Sequence, residues 1–246
     1  MAKYDFRAPR VYLDAPLAAA QEILLGSEQA HYLRQVMRLG DGAEVLVFNG
    51  RDGEWLVRLA ASGKRGAAIV PREQIRPQPE TFGPRYAFAP LKHARLDYMV
   101  QKAVEMGAAR LSPVMTQFTQ VNRMNQDRMR ANAIEAAEQC GILALPAIDE
   151  LQPLQAWLAT LPDSSPLVFC DEDAPETSPL DALKQVRARD AAILIGPEGG
   201  FSPEERRLLI ARDNVIRLSL GPRILRADTA AVAAMTLVQA ACGDWR

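Results

Sequence analysis

The most constraining feature of the sequence is an apolar strand that leads straight into a glycine-rich turn and a helix start, at residues 193–205 (ILIGPEGGFSPEE). The helix start is predicted by an N-cap hydroxyl, a proline at the first helical position and a carboxylate three residues after the cap, namely Ser202, Pro203 and Glu205. The turn contains Gly196, Gly199 and Gly200. Such a turn either lets a ligand lie against the main chain at the carboxyl edge of a parallel sheet or is a tight structural turn.

A second segment, residues 215–230 (VIRLSLGPRILRADTA), repeats the order of strand, turn and helix start. Gly221 with Pro222 predicts the end of the strand, and Asp228 or Thr229 is predicted to cap the last helix. Two arginines lie between these features, Arg223 and Arg226. They either pair with a nearby carboxylate or hold an anionic or carbonyl-bearing ligand.

The first third of the chain has the pattern of a small β-barrel or sandwich. Short β-like runs separated by turn signals occur at 10–13, 22–25, 44–48, 55–59 and 67–71. One helix interrupts them; Ser27 is its predicted cap, and its predicted apolar face consists of Ala30, Leu33, Val36 and Met37. We therefore predict a first domain over residues 1–73.

Residues 74–84 are rich in proline and lack apolar periodicity, which predicts a linker. From residue 85 to 246 strand-like and helical segments alternate, which predicts a mostly parallel sheet covered by helices on both faces. The predicted class is therefore α/β, preceded by a β-rich domain.

Composition excludes several classes of protein. The 246 residues are 48% hydrophobic and carry a formal net charge of −1, so no strongly basic domain is present and any RNA contact must come from local patches. No apolar run is long enough for a membrane span, and the N-terminus lacks the apolar core of a signal peptide, so we expect a soluble, cytoplasmic protein. The three cysteines have no metal-ligand spacing, and no metal is expected.

The two glycine segments together resemble a known family signature. GPEGGFSPEE at 196–205, followed by LSLGPRILRADTAA at 218–231, resembles the RsmE family of 16S rRNA uridine N3-methyltransferases in the SPOUT superfamily. The resemblance extends to LDYMVQKAVEMG at 96–107, AAEQCG at 136–141 and FRAPRVY at 6–12. The chain departs from the family pattern at Ala227 and Asp228, where L-R-T-E-T-A is usual, and at Ile142, where many members have arginine.

The resemblance implies a fold, a cofactor and a reaction. The implied fold is a SPOUT-type α/β knot, whose chain end is threaded into a deep trefoil knot, with a PUA-like β-barrel for RNA at the N-terminus. The implied reaction is methylation of uridine N3 in 16S rRNA, within the small ribosomal subunit, by a homodimer that uses S-adenosylmethionine. The alternative is a non-catalytic rRNA-binding assembly factor on the same fold, which degraded glycine loops would favour. A dinucleotide enzyme is disfavoured because residues 86–95 contain no glycine.

Site residues follow from the resemblance. The expected cofactor-binding residues are Ile195, Gly196, Pro197, Glu198, Gly199, Gly200, Leu218, Ser219, Leu220, Gly221, Ile224, Leu225, Arg226 and Ala227. Arg226 is expected to orient the uracil and stabilise charge on its oxygens, and Glu198 or Asp228 to accept the N3 proton, unless Glu198 only holds its loop and Asp228 only caps its helix. The expected RNA-binding residues are Arg7, Arg10, Arg34, Arg38, Lys92 and Arg95.

Overall fold

The computed structural model describes residues 8–62, 66–174, 178–184 and 186–245. The chain forms two compact units: unit 1 runs to Glu80 and also includes Ala137–Ala144, and unit 2 comprises Thr81–Ala136 and Leu145–Arg246. None of the helices in these described ranges is long and apolar enough to cross a membrane.

Unit 1 is built on a five-stranded sheet, and all five predicted strands are present. The sheet order is β1-β3-β4-β5-β2, where β1 pairs with β3 in parallel and the other pairs are antiparallel. Alternate side chains such as Val45, Val47 and Val57 are buried in one apolar cluster, as expected for a sheet with one face on a core. The strands are β1 Arg10–Tyr12, β2 Ile23–Leu24, β3 Glu44–Phe48, β4 Glu54–Ser62 and β5 Gly66–Arg76.

The helix of unit 1 differs from its prediction. Helix α1 spans Ser27–His31 and continues as a π-helical turn over Tyr32–Val36. Gly26 occupies the N-cap position without a side-chain hydrogen bond, so Ser27 is not the cap. The wider π turn changes the helical period, and Val36 and Met37 are exposed although a regular α-helix would place them on the apolar face.

The predicted linker also begins too early. β5 continues to Arg76, which pairs with Glu54 of β4, so residues 74–76 belong to the sheet of unit 1. The proline-rich composition did not reveal this because the register between β4 and β5 shifts twice, at Glu54/Trp55 and Leu56/Val57, and such shifts break the regular alternation.

Unit 2 is built on a parallel sheet, as predicted. The strand order is β12-β10-β11-β6-β7-β8, and β9 also pairs with β7 in parallel. Short apolar strands with buried side chains on both faces are typical of such a sheet. The strands are β6 Arg85–Phe88, β7 Arg110–Met115, β8 Ala147–Ile148, β9 Gln152–Pro153, β10 Leu167–Cys170, β11 Ala192–Ile195 and β12 Val215–Leu218.

Helices cover both faces of this sheet. Leu154, Trp157 and Leu209 pack on one face, against a row that includes Phe169 and Leu194. The last helix lies on the other face and packs against the first and fourth helices of the unit. The helices are α2 His93–Glu105, α3 Gln126–Cys140, α4 Leu154–Ala159, α5 Pro179–Leu183, α6 Pro203–Ile210 and α7 Ala227–Cys242, and a 3₁₀ turn spans Ala188–Asp190.

Candidate functional site

A cleft of about 1110 Å³ lies at the carboxyl ends of β10, β11 and β12. Parallel strands bring their carboxyl ends to one sheet edge, where the connecting loops form ligand sites. Three loops form the walls, at residues 170–174, 195–201 and 218–225, and Ala227 and Ala230 of α7 also contribute. The two segments that the sequence analysis singled out therefore meet in one place.

The cleft brings together twelve of the fourteen residues expected at the cofactor. The two exceptions are Gly199 and Arg226. A Cβ placed on Gly199 would lie 3.2 Å from the Cβ of Phe118, so Gly199 faces a neighbouring turn rather than the cleft. Arg226 occupies the N-cap position of α7 and is exposed, between the cleft residues Leu225 and Ala227.

The glycines of these loops each have a structural reason. A Cβ on Gly196 would lie 2.5 Å from the ring of Phe201, and that ring packs edge-on against Phe169 with 5.2 Å between centroids. Gly200 and Gly221 adopt φ angles of +70° and +100°, which other residues rarely tolerate. The loop at 196–200 is thus a tight structural turn that also lines a cleft, so the two interpretations of its glycines are compatible.

The start of α6 is built as the sequence predicts. The Ser202 side chain accepts a hydrogen bond from the Glu205 backbone N–H at 3.2 Å, and Glu205 Oε2 accepts one from the Ser202 N–H at 2.9 Å. This reciprocal capping box fixes the end of the glycine loop. The remaining oxygen, Oε1 of Glu205, accepts a hydrogen bond from the N–H of Gln117 at 2.7 Å.

One wall of the cleft, residues 170–174 at the end of β10, was not predicted from the sequence. Asp171 is almost fully buried there, and its Oδ2 lies 2.6 Å from Arg217 Nε and 3.1 Å from an Arg206 guanidinium nitrogen. Two cations balance the charge of this buried carboxylate, which anchors the segment 171–174. A carboxylate directly after the apolar strand 167–170 was the available signal.

Burial keeps two titratable groups uncharged, the Cys170 thiol next to this carboxylate and the Tyr86 hydroxyl on β6. Desolvation, to which the charge of Asp171 adds, raises the pKa of the Cys170 thiol to about 12. Burial raises the pKa of Tyr86 well above its usual value, with smaller contributions from Cys170 and Asp228, and its hydroxyl has no hydrogen-bond partner among the described residues. Both groups therefore stay protonated at neutral pH.

The structure distinguishes the three residues expected to be catalytic. Glu198 forms an ion pair with Arg95. The Asp228 carboxylate accepts a hydrogen bond from the Thr229 N–H at 3.0 Å and, in the described part of the chain, forms no ion pair. Arg226 likewise has no ion-pair partner within those residues. Helix α7 begins at Ala227 without any side-chain cap, so the prediction that Asp228 or Thr229 caps it is wrong: both residues already lie inside the first turn.

Arg10, predicted to contact RNA, is unsuited to that role. Its side chain is only 5% exposed, and its Nε lies 2.6 Å from Oε1 of the buried Glu54. Although burial opposes ionisation of Glu54, hydrogen bonds from Arg76 and Arg10 outweigh it and lower the pKa of this carboxyl. A buried guanidinium held in this way is not available to a phosphate, so the prediction for Arg10 is wrong.

The other predicted RNA contacts differ in their exposure and in their ion pairs. In unit 1, Arg34 pairs with Asp41, whereas Arg38 is exposed and has a positive φ of 56°. In unit 2, Lys92 is exposed at the start of α2, and Arg95 is held by Glu198. Arg7 lies outside the described residues.

Comparisons with known proteins point to one family. Residues 82–239 match the model of the RNA methyltransferase domain, and residues 25–71 match that of the RNA methyltransferase PUA domain. Ribosomal RNA small subunit methyltransferase E of Rickettsia conorii is 31% identical over 232 residues, which cover 94% of each chain. The protein of the same name from Bacillus subtilis is 25% identical over 223 residues, covering 86% of this chain and 87% of that one.

Solved structures share this fold across both units. A methyltransferase of Legionella pneumophila, solved in complex with the bound cofactor SAM, aligns with a TM-score of 0.81 and 26% identity, over 96% of this chain and 98% of that chain. Ribosomal RNA small subunit methyltransferase E of Neisseria gonorrhoeae, bound to S-adenosyl methionine, aligns with a TM-score of 0.83 and 24% identity, over 98% and 100%.

Proposed function

The chain belongs to the RsmE family of ribosomal RNA small subunit methyltransferases, and from this premise we propose that it methylates N3 of a uridine in 16S rRNA with S-adenosylmethionine as the donor. The observation that carries the proposal is the cleft at the carboxyl edge of the parallel sheet, where both glycine segments of the family signature meet. This site suits an adenosine-containing ligand, as the chemistry of its walls explains.

The residues of the cleft fit such a donor. Apolar side chains of Ile195, Leu218 and Leu225 can contact an adenine ring, and the turns at Gly200 and Gly221 bring main chain to the cleft surface. In the 171–174 segment, Asp171 is already balanced by Arg206 and Arg217. Glu172, whose Oε1 lies 3.7 Å from the position of a Cβ on Gly200, is the carboxylate that can face the cationic sulfonium or ammonium group of the donor. When bound, the donor supplies an electrophilic methyl group.

The acceptor chemistry requires a base and a cation from the protein. Uridine N3 carries a proton at neutral pH and is a poor nucleophile until that proton is removed. Arg226 is exposed beside the cleft without an ion-pair partner in the described part of the chain, so we assign to it the stabilisation of charge on the uracil oxygens. We assign proton removal to Asp228 ahead of Glu198, because the Glu198 carboxylate is paired with the Arg95 guanidinium.

The partners follow from the same proposal. The substrate is ribosomal RNA within the small subunit, so the protein acts in the cytoplasm, and we propose that it works as a homodimer with a knotted C-terminal segment. In this proposal the PUA-like domain runs to the end of β5 at Arg76 and binds RNA, the linker is at 77–84, and the catalytic domain is at 85–246. Arg10 is excluded as a phosphate contact because it is buried. The remaining proposed phosphate contacts are Arg7, Arg34, Arg38, Lys92 and Arg95.

Methyl transfer and donor binding, measured together, test this assignment. We expect purified protein to transfer tritium from methyl-labelled S-adenosylmethionine to small subunits from a strain lacking the enzyme. Arg226→Ala should reduce transfer by at least 10-fold with unchanged donor affinity by calorimetry, as is typical when one charge-stabilising group is removed. Arg187→Ala is the control, because this exposed arginine precedes β11 and lies at the amino edge of the sheet. Donor binding without any transfer would favour a non-catalytic assembly factor.

A further inference from the structure

An exposed aromatic ring lies directly beside the glycine loop and is not part of the cleft. Phe118 follows β7, so it stands at the carboxyl edge of the sheet, and it is 44% exposed. Its Cβ is the atom that a Cβ on Gly199 would approach to 3.2 Å. Gly199 lies between Glu198 and Gly200, which both line the cleft, so Phe118 marks the outer flank of the same loop.

The turn that carries this ring is held in place by four hydrogen bonds, one of them from the Thr119 N–H to the Thr116 carbonyl oxygen at 3.1 Å. Thr119 Oγ1 accepts from the Thr116 N–H at 3.0 Å and lies 2.8 Å from Thr116 Oγ1. The N–H of Gln117 donates to Glu205 Oε1 at 2.7 Å, the carboxylate that also caps α6. The turn and the glycine loop are therefore joined through one side chain, which fixes the backbone that carries the ring relative to the loop.

The surroundings of the ring combine apolar surface with charge. Met115, at the end of β7, is 37% exposed at the base of the same turn. On the other side of Gly199, the exposed Glu198 carboxylate is paired with the Arg95 guanidinium. Proteins bind single-stranded nucleic acids with exposed aromatic rings of this kind, on which bases stack while neighbouring polar groups contact the backbone.

We propose that the Phe118 ring is a stacking site for a base of the substrate RNA, on the outer flank of the loop 196–200. The proposal rests on the proposed function, since it assigns the residue that positions RNA beside the donor cleft. A base on this ring lies against the loop that lines the cleft, so stacking would orient the target nucleotide, or its neighbour, toward the donor.

Steady-state methyl transfer to small ribosomal subunits tests the proposal. Loss of one stacking contact in Phe118→Ala should lower kcat/KM roughly 5- to 100-fold, mainly through KM for the subunits. The donor Kd should stay unchanged, and Phe118→Trp should restore transfer. Phe82→Ala is a matched control: this ring is 39% exposed, but it precedes β6 and thus lies at the amino edge.

The outcomes separate the proposal from the proposed function. If Phe118→Ala keeps kcat/KM within twofold of the wild type, or loses donor affinity in proportion, the ring only shapes the loop and the proposal is overturned. If the wild type transfers no methyl group, the proposed function fails instead. The stacking site is then judged by fluorescence of Phe118→Trp against the wild type: quenching by polyuridylate supports it, and unchanged emission overturns it.

Discussion

Cys170 and Asp171 are consecutive residues at the end of β10 that line the same wall of the cleft but differ in charge. Two guanidinium groups, those of Arg206 and Arg217, lie within 3.1 Å of the Asp171 carboxylate and balance its charge. The same negative charge adds to desolvation in raising the pKa of the Cys170 thiol to about 12. The wall therefore presents one balanced anion and one neutral thiol, and the thiol is not a nucleophile at physiological pH.

The Cys170 thiol should resist alkylation. With a pKa of about 12, its thiolate amounts to roughly 1% even at pH 10, and the fraction falls tenfold for each pH unit below that. We expect iodoacetamide to label the exposed Cys140 and to leave Cys170 unlabelled between pH 7 and 9, as measured by peptide mass spectrometry. Equal labelling rates for the two residues in the folded protein would contradict this picture of the wall.

At the scale of elements, Glu205 links two segments that are far apart in sequence. It closes the capping box of α6 with Ser202 and also accepts the hydrogen bond of the turn that follows β7. In the sequence, the loop 196–200 ends just before Ser202, the residue that Glu205 joins in the capping box. The positions of the glycine loop and of Phe118 thus depend on one carboxylate.

Removal of the Glu205 carboxylate should destabilise the folded protein. Glu205→Ala is expected to lower the free energy of unfolding by about 1–2 kcal/mol, because it removes one half of the capping box and an exposed hydrogen bond from the Gln117 N–H. Glu204→Ala serves as the control, because the adjacent carboxylate is 71% exposed and, among the described residues, pairs only with Arg207 on the same helix. Urea denaturation followed by circular dichroism measures the free energy of unfolding of both variants. Equal stability of the two would show that Glu205 does not join α6 to the turn after β7.

Local patterns in the sequence predicted some elements and not others. The capping box at Ser202 and the longer strands of both units were predicted because each depends on residues a few positions apart, whereas the two-residue strands β8 and β9 were not predicted. Helix α4, with six residues, is too short to show helical periodicity, and the π turn after α1 breaks that periodicity. The ion pair of Arg10 with Glu54 joins residues 44 positions apart, so no local pattern indicates that this arginine is buried.

At the scale of the whole molecule, the parallel sheet accounts for the position of the site. The residues 170–174, 195–201 and 218–225 are distant in sequence, yet β10, β11 and β12 are neighbours whose carboxyl ends meet. Two of these loops were identified from glycine patterns and family resemblance. The third was not, because its chemistry lies in a buried aspartate whose partners, Arg206 and Arg217, belong to other elements.

The most direct test of the central claim is mass-spectrometric nucleoside analysis of small ribosomal subunits from a strain that lacks the enzyme. The subunits are analysed before and after incubation with the purified protein, with and without S-adenosylmethionine. If the protein is a uridine N3-methyltransferase, N3-methyluridine appears in the 16S rRNA only when both protein and donor are present. A methyl group on another atom or base, or no new methylated nucleoside despite measurable donor binding, would contradict it.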